Sequence, residues 1–278
     1  MSGDFYVDET CINCGTCRFI APDTFNDNNK KSRVYNQPET EEQKHRALMA
    51  IISCPVSSIG TEEKSDLSKA ITSYPDPIDE NVFHCGFHSK SSFGATSYLI
   101  KRPEGNVMVD SPRFVDALAR RIEEMGGIKY MFLSHRDDVA DHCKYHEHFG
   151  CERIMHVDDL TKDTEGVERI IQGIEPVKLD QDLLVIPVPG HTKGSISLLY
   201  NDKYLFTGDH LAMNPNRAHP TAFNNHCWYN WEEQIKSMKK IAEYNFEWIL
   251  PGHSLRCYFP RGEMAEKIQM CIDWMEKT

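Results

Sequence analysis

Three cysteines at intervals of three, Cys11, Cys14 and Cys17, followed after 36 residues by Cys54-Pro55, constrain this chain more than any other feature. They set three thiols on one tight loop and a fourth on a distant segment, and four soft thiolates are what an iron–sulfur cluster requires. Gly15 lets the backbone wrap such a cluster and offer N–H groups to its sulfurs, and Pro55 turns the chain away after the last ligand. A zinc knuckle or a disulfide pair are the other uses of such residues, but zinc sites usually group their ligands as two close pairs. The other six cysteines (85, 143, 151, 227, 257 and 271) are scattered, and Cys143 and Cys271 fall within helical patterns. They read as reduced thiols that pack as small hydrophobes, because a chain of 278 residues is no small secreted module in need of a disulfide framework.

Residues 1 to about 60 hold the clustered cysteines; 61–80 are polar, broken by Pro75 and Pro77, and read as a linker; 81–278 form the remainder. There, strand-like runs alternate with helical patterns, as in an α/β layered arrangement. Strands are predicted over 96–101, 106–110, 129–133, 153–156, 183–188, 196–200, 204–206 and 248–250, and helices over 113–125, 139–149, 231–244 and 263–276. Asp and Glu number 42 against 31 Lys and Arg, a formal charge of −11 that would repel a phosphate backbone, so nucleic acid is excluded as a partner. No run approaches the roughly 18 apolar residues of a membrane span, and the first ten residues carry no basic, apolar leader, so no membrane partner and a cytoplasmic location are expected.

Four polar outcrops follow strand-like runs in the second part: Ser134-His135-Arg136-Asp137-Asp138-Val139-Ala140-Asp141-His142, Gly190-His191-Thr192, Thr207-Gly208-Asp209-His210 and Pro251-Gly252-His253. Imidazoles and carboxylates suit Zn²⁺, Fe or Mn²⁺. A lone histidine is weak evidence, but the order and context of these groups together point to a metal centre. His146 lies one turn from His142, and both it and His148 are explained by a polar helix face. His210 stands beside Asp209, while His84, His88, His219 and His226 fall on loops that would border a substrate pocket. Phe223, Trp228, Tyr229 and Trp231 are candidates to cover a cleft, with packing as the alternative role.

Residues 1–60, with Tyr6-Val7-Asp8 before the cysteines and Ala21-Pro22-Asp23 after them, resemble a bacterial single-cluster ferredoxin. The resemblance implies one [4Fe–4S] centre held by Cys11, Cys14, Cys17 and Cys54, since the second cysteine set of two-cluster ferredoxins is absent. From about Phe83 onward the histidine and aspartate order resembles the metallo-β-lactamase fold superfamily, whose members hold one or two metals at the edge of an αββα sandwich. Together these imply an α+β chain: a small ferredoxin-like iron–sulfur domain followed by an αββα metallo-β-lactamase sandwich. In the superfamily's His-x-His-x-Asp-His motif, His135 matches the first position and Asp141-His142 look like the closing pair; His191, Asp209 and His253 match the later ligands. Asp137 stands where the second His would be, and two extra residues precede Asp-His. If a helix starts near Asp137, then Asp138, Asp141 and His142 share one face, and Asp138 can substitute for Asp137 as ligand. Alternatively, either aspartate caps that helix.

The Gly-His-Thr and Pro-Gly-His contexts resemble the glyoxalase II branch of hydrolases. That resemblance implies a metal-dependent hydrolase acting on a small-molecule thioester or ester, with one or two Zn or Fe ions, Mn being a further fit. It assigns Asp209 to bridge or order the ions, His135, Asp137 and His191 to hold one, and Asp141, His142 and His253 to hold the other. Asp141 and Asp209 are the catalytic candidates, with Asp141 orienting water or carrying a proton. Hydrolysis transfers no electrons, so the ferredoxin module raises an alternative: a redox enzyme with a non-haem diiron centre, fed by that module and a redox partner protein. The carboxylate at Asp137 resembles the flavodiiron branch, though no flavodoxin-like domain fits the remaining length. A non-enzymatic electron carrier or iron–sulfur sensor is the third reading.

Overall fold

The computed structural model describes residues 3–278, which divide into two compact units. One runs to Lys129 and takes up Ala140–Cys151; the other holds Tyr130–Val139 and Glu152–Thr278. No helix among the described residues is long and apolar enough to cross a membrane.

In the first unit, β1 (Phe5–Val7) leads to the cysteine loop and α1 (Thr16–Ile20), then to a hairpin of β2 (Phe25–Asp27) and β3 (Ser32–Val34). Helix α2 (Glu41–Ser53) is nucleated by a capping box, in which Thr40 accepts from the Gln43 N–H and the Gln43 side chain accepts from the Thr40 N–H. It ends at Cys54, extended ahead of Pro55, so the helix delivers the fourth cysteine. Strand β4 (Ile59–Thr61) then pairs antiparallel with β1 and closes the segment on itself. Residues 61–80, expected as a linker, instead hold α3 (Ser68–Thr72) and β5 (Asp76–Asp79). Pro77 is tolerated there because β5 is an edge strand, where a missing N–H costs no ladder bond. Strands β5, β6 (Val82–His84), β7 (Tyr98–Ile100) and β8 (Val107–Val109) form an antiparallel meander, and α4 (Asp116–Glu124) and α5 (His142–Phe149) complete the unit.

In the second unit, β9 (Tyr130–Phe132), β10 (Glu152–His156) and β11 (Arg169–Ile171) run parallel. A second sheet follows the order β12 (Val177–Asp180), β13 (Leu183–Pro187), β14 (Ile196–Tyr200), β15 (Tyr204–Gly208), β18 (Trp248–Pro251) and β19 (Cys257–Tyr258). Between β15 and β18 lie the short pair β16 (Ala212–Met213) and β17 (Pro220–Thr221) and helix α6 (Trp231–Ile241). Helix α7 (Arg261–Met275) ends the chain. Met238 and Ile241 of α6 and Met264, Ile268 and Ile272 of α7 pack with Ile186, Leu205 and Ile249 in one buried cluster. Burying each such side chain contributes about 1.5–3 kcal/mol.

The topology sets the carboxyl ends of three strands on one edge. Strands β13 and β15 are each antiparallel to β14, and β18 is parallel to β15, so all three run the same way. The segments they release begin at Val188-Pro189-Gly190-His191, Asp209 and Gly252-His253. The Ser134 carbonyl, just past β9, accepts from the Ile196 N–H at 2.9 Å and so ties the His135 segment to this edge.

Candidate metal centre and cysteine loop

The imidazoles of His135 and His191 are buried, and each is oriented from its far nitrogen. His135 Nδ1 lies 2.9 Å from the Ser134 hydroxyl, and His191 Nδ1–H donates to the His226 carbonyl at 2.6 Å. The His191 lone pair therefore sits on Nε2, the arrangement typical of a metal-ligating histidine. Both Nε2 atoms lack a hydrogen-bond partner among the described residues. They lie between 3.8 and 4.0 Å from Asp137 Oδ2 and Asp209 Oδ2, too far for a hydrogen bond. That gap is near the roughly 3.3–3.6 Å edge of a tetrahedron with ligand bonds of about 2.0–2.2 Å. His253 Nδ1–H donates to Asp209 Oδ1 at 2.7 Å, which fixes that carboxylate.

Two buried imidazole Nε2 atoms without a hydrogen-bond partner among the described residues, set against carboxylate oxygens, fit a divalent cation. Two groupings meet the spacing, His135 with Asp137 and His191, and His135 with Asp138 and Asp209. Burial lowers the His135 imidazole to about 4 despite Asp209 beside it, so its lone pair is open at neutral pH. Burial works to raise the Asp209 carboxyl, but His253, with His135 and His191, outweighs this and holds it well below the ordinary range. Asp137 is lowered chiefly by the facing His191. Gly252 leaves the space between two of the carboxylates open: a Cβ there would lie 2.7 Å from Asp138 Oδ2 and 2.9 Å from Asp209 Oδ1.

The local chain path differs from the expected helix start. Asp137 and Asp138 lie in an irregular turn and cap no helix, because Ala140, with φ 29°, interrupts helical geometry and α5 begins at His142 with Asp141 at its N-cap position. The turn rather than helical spacing sets Asp138 near His135 and Asp209. Asp141 and His142 are described in the first unit, where Asp141 Oδ2 accepts from the Phe114 N–H at 2.8 Å and Oδ1 lies 2.9 Å from Lys144 Nζ. His210 is buried without a hydrogen-bond partner for either nitrogen among the described residues, and burial lowers it to about 3.

Other candidates divide by contact. The Trp228 and Tyr229 N–H groups donate to the His191 carbonyl, and the exposed Trp228 ring lies 6.2 Å from the His191 ring. Trp231 packs on Trp274 instead, and His219 bonds the neighbouring Pro220 carbonyl. His146 bonds the Cys151 carbonyl, and His148 bonds Glu123. His84 and His88, expected beside a substrate pocket, are buried in the first unit and bonded to each other. Sequence reading missed Asp159, whose carboxylate accepts from the Arg136 and Gly194 N–H groups and from the Thr192 hydroxyl. Its only local signal is an acidic residue just past β10.

The four clustered cysteines, all free thiols, line one recess. Asn13 and Gly15, with φ of 62° and 85°, curl the loop through left-handed conformations open to Asn and Gly. Cys54 Sγ accepts from the Ser58 N–H at 3.3 Å, and Thr16 lies 3.3 Å from Cys14 Sγ. Burial pushes the Cys17 thiol up to about 12 and raises Cys14, so bound iron is the group that would hold them as thiolates. Four thiols around one recess fit an iron–sulfur cluster.

The chain therefore joins a single-cluster iron–sulfur domain to a domain of metallo-β-lactamase fold. Residues 7–61 match the family model of the 4Fe-4S single cluster domain of Ferredoxin I. The metallo-β-lactamase DIM-1 superposes with a TM-score of 0.55 at 16% identity, over 72% of this chain and 95% of that one. FIM-1 from Pseudomonas aeruginosa, in its mono-zinc form, gives 0.53 at 14%, over 71% and 93%. At such identity these matches define the fold. A hydroxyacylglutathione hydrolase of Rhizobium etli is 30% identical over 141 residues, 49% of this chain and 52% of that protein. The chain thus spans about half the length of the curated relative it matches.

Proposed function

We propose that this chain is a metal-dependent hydrolase that opens a small-molecule thioester or ester, with the iron–sulfur domain as an appended redox module. The observation that carries this reading is the pair of buried nitrogens, His135 Nε2 and His191 Nε2, facing the Asp137 and Asp209 oxygens without hydrogen-bonding them. These residues would hold one or two divalent ions, zinc or iron, which when bound acidify a water and polarise the carbonyl under attack. Ser134 and the His226 carbonyl keep the two imidazoles aimed at the centre, and His253 fixes the Asp209 carboxylate. Asp138 Oδ2 is the oxygen we assign to take the proton from the attacking water and pass it to the leaving group. Asp141, the sequence candidate for that role, already holds the Phe114 N–H and Lys144.

The name of the 30% identical relative, a hydroxyacylglutathione hydrolase, supports a thioester over other esters. The test is metal analysis with acid-labile sulfide on protein purified without oxygen, followed by a panel of acyl thioesters offered to zinc-loaded protein. We expect thioester turnover that Asp209→Ala abolishes while sulfide content stays; absence of turnover across the panel overturns the reading. A second reading is favoured by one observation, that His135, His191 and Asp209 make the two-histidine, one-carboxylate set of non-haem iron centres. Non-haem iron beyond that of the cluster, with reduction of oxygen or nitric oxide, would select it.

A further inference from the structure

We propose that Thr16 and His88 form a hydrogen-bond relay onto Cys14 that raises the reduction potential of the iron–sulfur cluster. The inference rests on the cluster reading of the four cysteines and is independent of the reaction at the metal centre. Thr16, His88 and His84 are each at most 1% exposed, a buried polar chain beside a cysteine loop. Thr16 Oγ1 lies 3.3 Å from Cys14 Sγ, 3.3 Å from His88 Nδ1 and 3.4 Å from the Gly94 carbonyl. His88 Nδ1 lies 2.7 Å from that same carbonyl, and a carbonyl only accepts, so Nδ1 carries the proton. Thr16 therefore meets His88 as an acceptor and keeps its own hydrogen to donate. The Gly94 oxygen is already engaged by the imidazole at the shorter distance, which leaves the Cys14 sulfur as the hydroxyl's better acceptor.

Two features hold the relay in place. His88 Nε2 lies 2.8 Å from His84 Nε2, and the His84 ring meets Phe19 and Tyr74 at 5.7 and 5.5 Å, so neither imidazole is free to turn. Gly94, with φ of +84°, brings its backbone onto the ligand: a Cβ there would sit 2.8 Å from Cys14 Cβ and 3.1 Å from its sulfur. Reduction adds one negative charge, shared over the cluster's inorganic and cysteine sulfurs. A hydrogen bond donated to a sulfur stabilises that state more than the oxidised one, and more so where water is excluded.

The test is a redox titration of the anaerobic full-length protein followed by electron paramagnetic resonance, with iron and sulfide counted in each variant. At the wild-type midpoint, Thr16→Val should lower the reduced-to-oxidised ratio about fivefold to tenfold, tenfold being a 59 mV shift for one electron. Thr16→Ser, which keeps the hydroxyl, should titrate as wild type. His88→Phe should give a fall comparable to Thr16→Val, because the hydroxyl then turns to the vacated Gly94 carbonyl. The double variant should fall no further than the larger single one. An unchanged midpoint in a Thr16→Val protein with full iron and sulfide overturns the proposal, as does full additivity of the two changes. If Thr16→Val loses its cluster, His88→Phe against His88→Gln carries the test, since the Gln amide restores a donor: equal midpoints in those two variants overturn the relay.

Discussion

Asp159 offers the sharpest test of how the metal site is held together. Its carboxylate is 1% exposed and reaches two ligand-bearing loops at once. Oδ2 accepts from the Arg136 N–H, next to His135, at 3.0 Å and from the Thr192 hydroxyl, next to His191, at 2.5 Å; Oδ1 accepts from the Gly194 N–H at 2.8 Å. Asp159→Ala removes three hydrogen bonds to a carboxylate and leaves two backbone donors without it, the Gly194 N–H in a buried position. At about 1–3 kcal/mol for each stranded group, partly relieved by local shifts, the expected loss is about 3–5 kcal/mol. That is a large part of the 5–15 kcal/mol typical of a domain. Loosening both loops should also spread His135 and His191, and loss of such a supporting contact costs about 10–100-fold in metal affinity. Urea unfolding of the metal-free protein and zinc competition against a chelator read the two effects separately. Asp159→Asn, which keeps one acceptor oxygen, should fall between wild type and Asp159→Ala. A urea midpoint and a zinc affinity both unmoved in Asp159→Ala would refute the reasoning.

Further outcomes separate the remaining parts. Asp209→Ala should empty the metal centre while leaving the cluster's visible absorbance, and Cys14→Ser should do the reverse; unchanged metal content in Asp209→Ala would refute the site. Gly252→Ala puts a methyl 2.7 and 2.9 Å from the Asp138 and Asp209 oxygens, and should weaken zinc binding at least ~10-fold by chelator competition. Burial works to raise Glu168, but Arg153 outweighs it, through bonds of 3.1 and 2.7 Å, and lowers its carboxyl from 4.5 to about 2. Because the folded state lowers it, the stabilisation is complete above 4.5 and is lost as pH falls through about 2. Glu168→Gln should therefore cost about 1 kcal/mol at neutral pH, discounted for a side chain partly open to solvent, and almost nothing near pH 2. Urea midpoints across that range check it, and a pH-independent difference would exclude the ion pair as the cause.

The sequence by itself determined what repeats or alternates along the chain. Cysteines three apart fall on one turn of loop whatever surrounds them, so Cys11, Cys14 and Cys17 announce a common ligand before any fold is known. Apolar runs such as Ile196–Tyr200 and Tyr204–Gly208 are buried throughout, and that continuity is legible without partners. The His and Asp outcrops are legible because each follows such a run. Tertiary structure alone decided the rest. Whether Asp137 and Asp138 cap a helix or face His191 and Asp209 depends on a turn whose shape, with Ala140 left-handed, has no periodic signature. His84 and His88 look like loop histidines until Gly94 brings that segment against Cys14, 80 positions earlier in the chain. Asp159 meets Arg136, Thr192 and Gly194 across 23, 33 and 35 residues. Local patterns reflect energies between neighbours along the chain, whereas these contacts join segments far apart in sequence and exist only once the sheets and the loops they carry have packed.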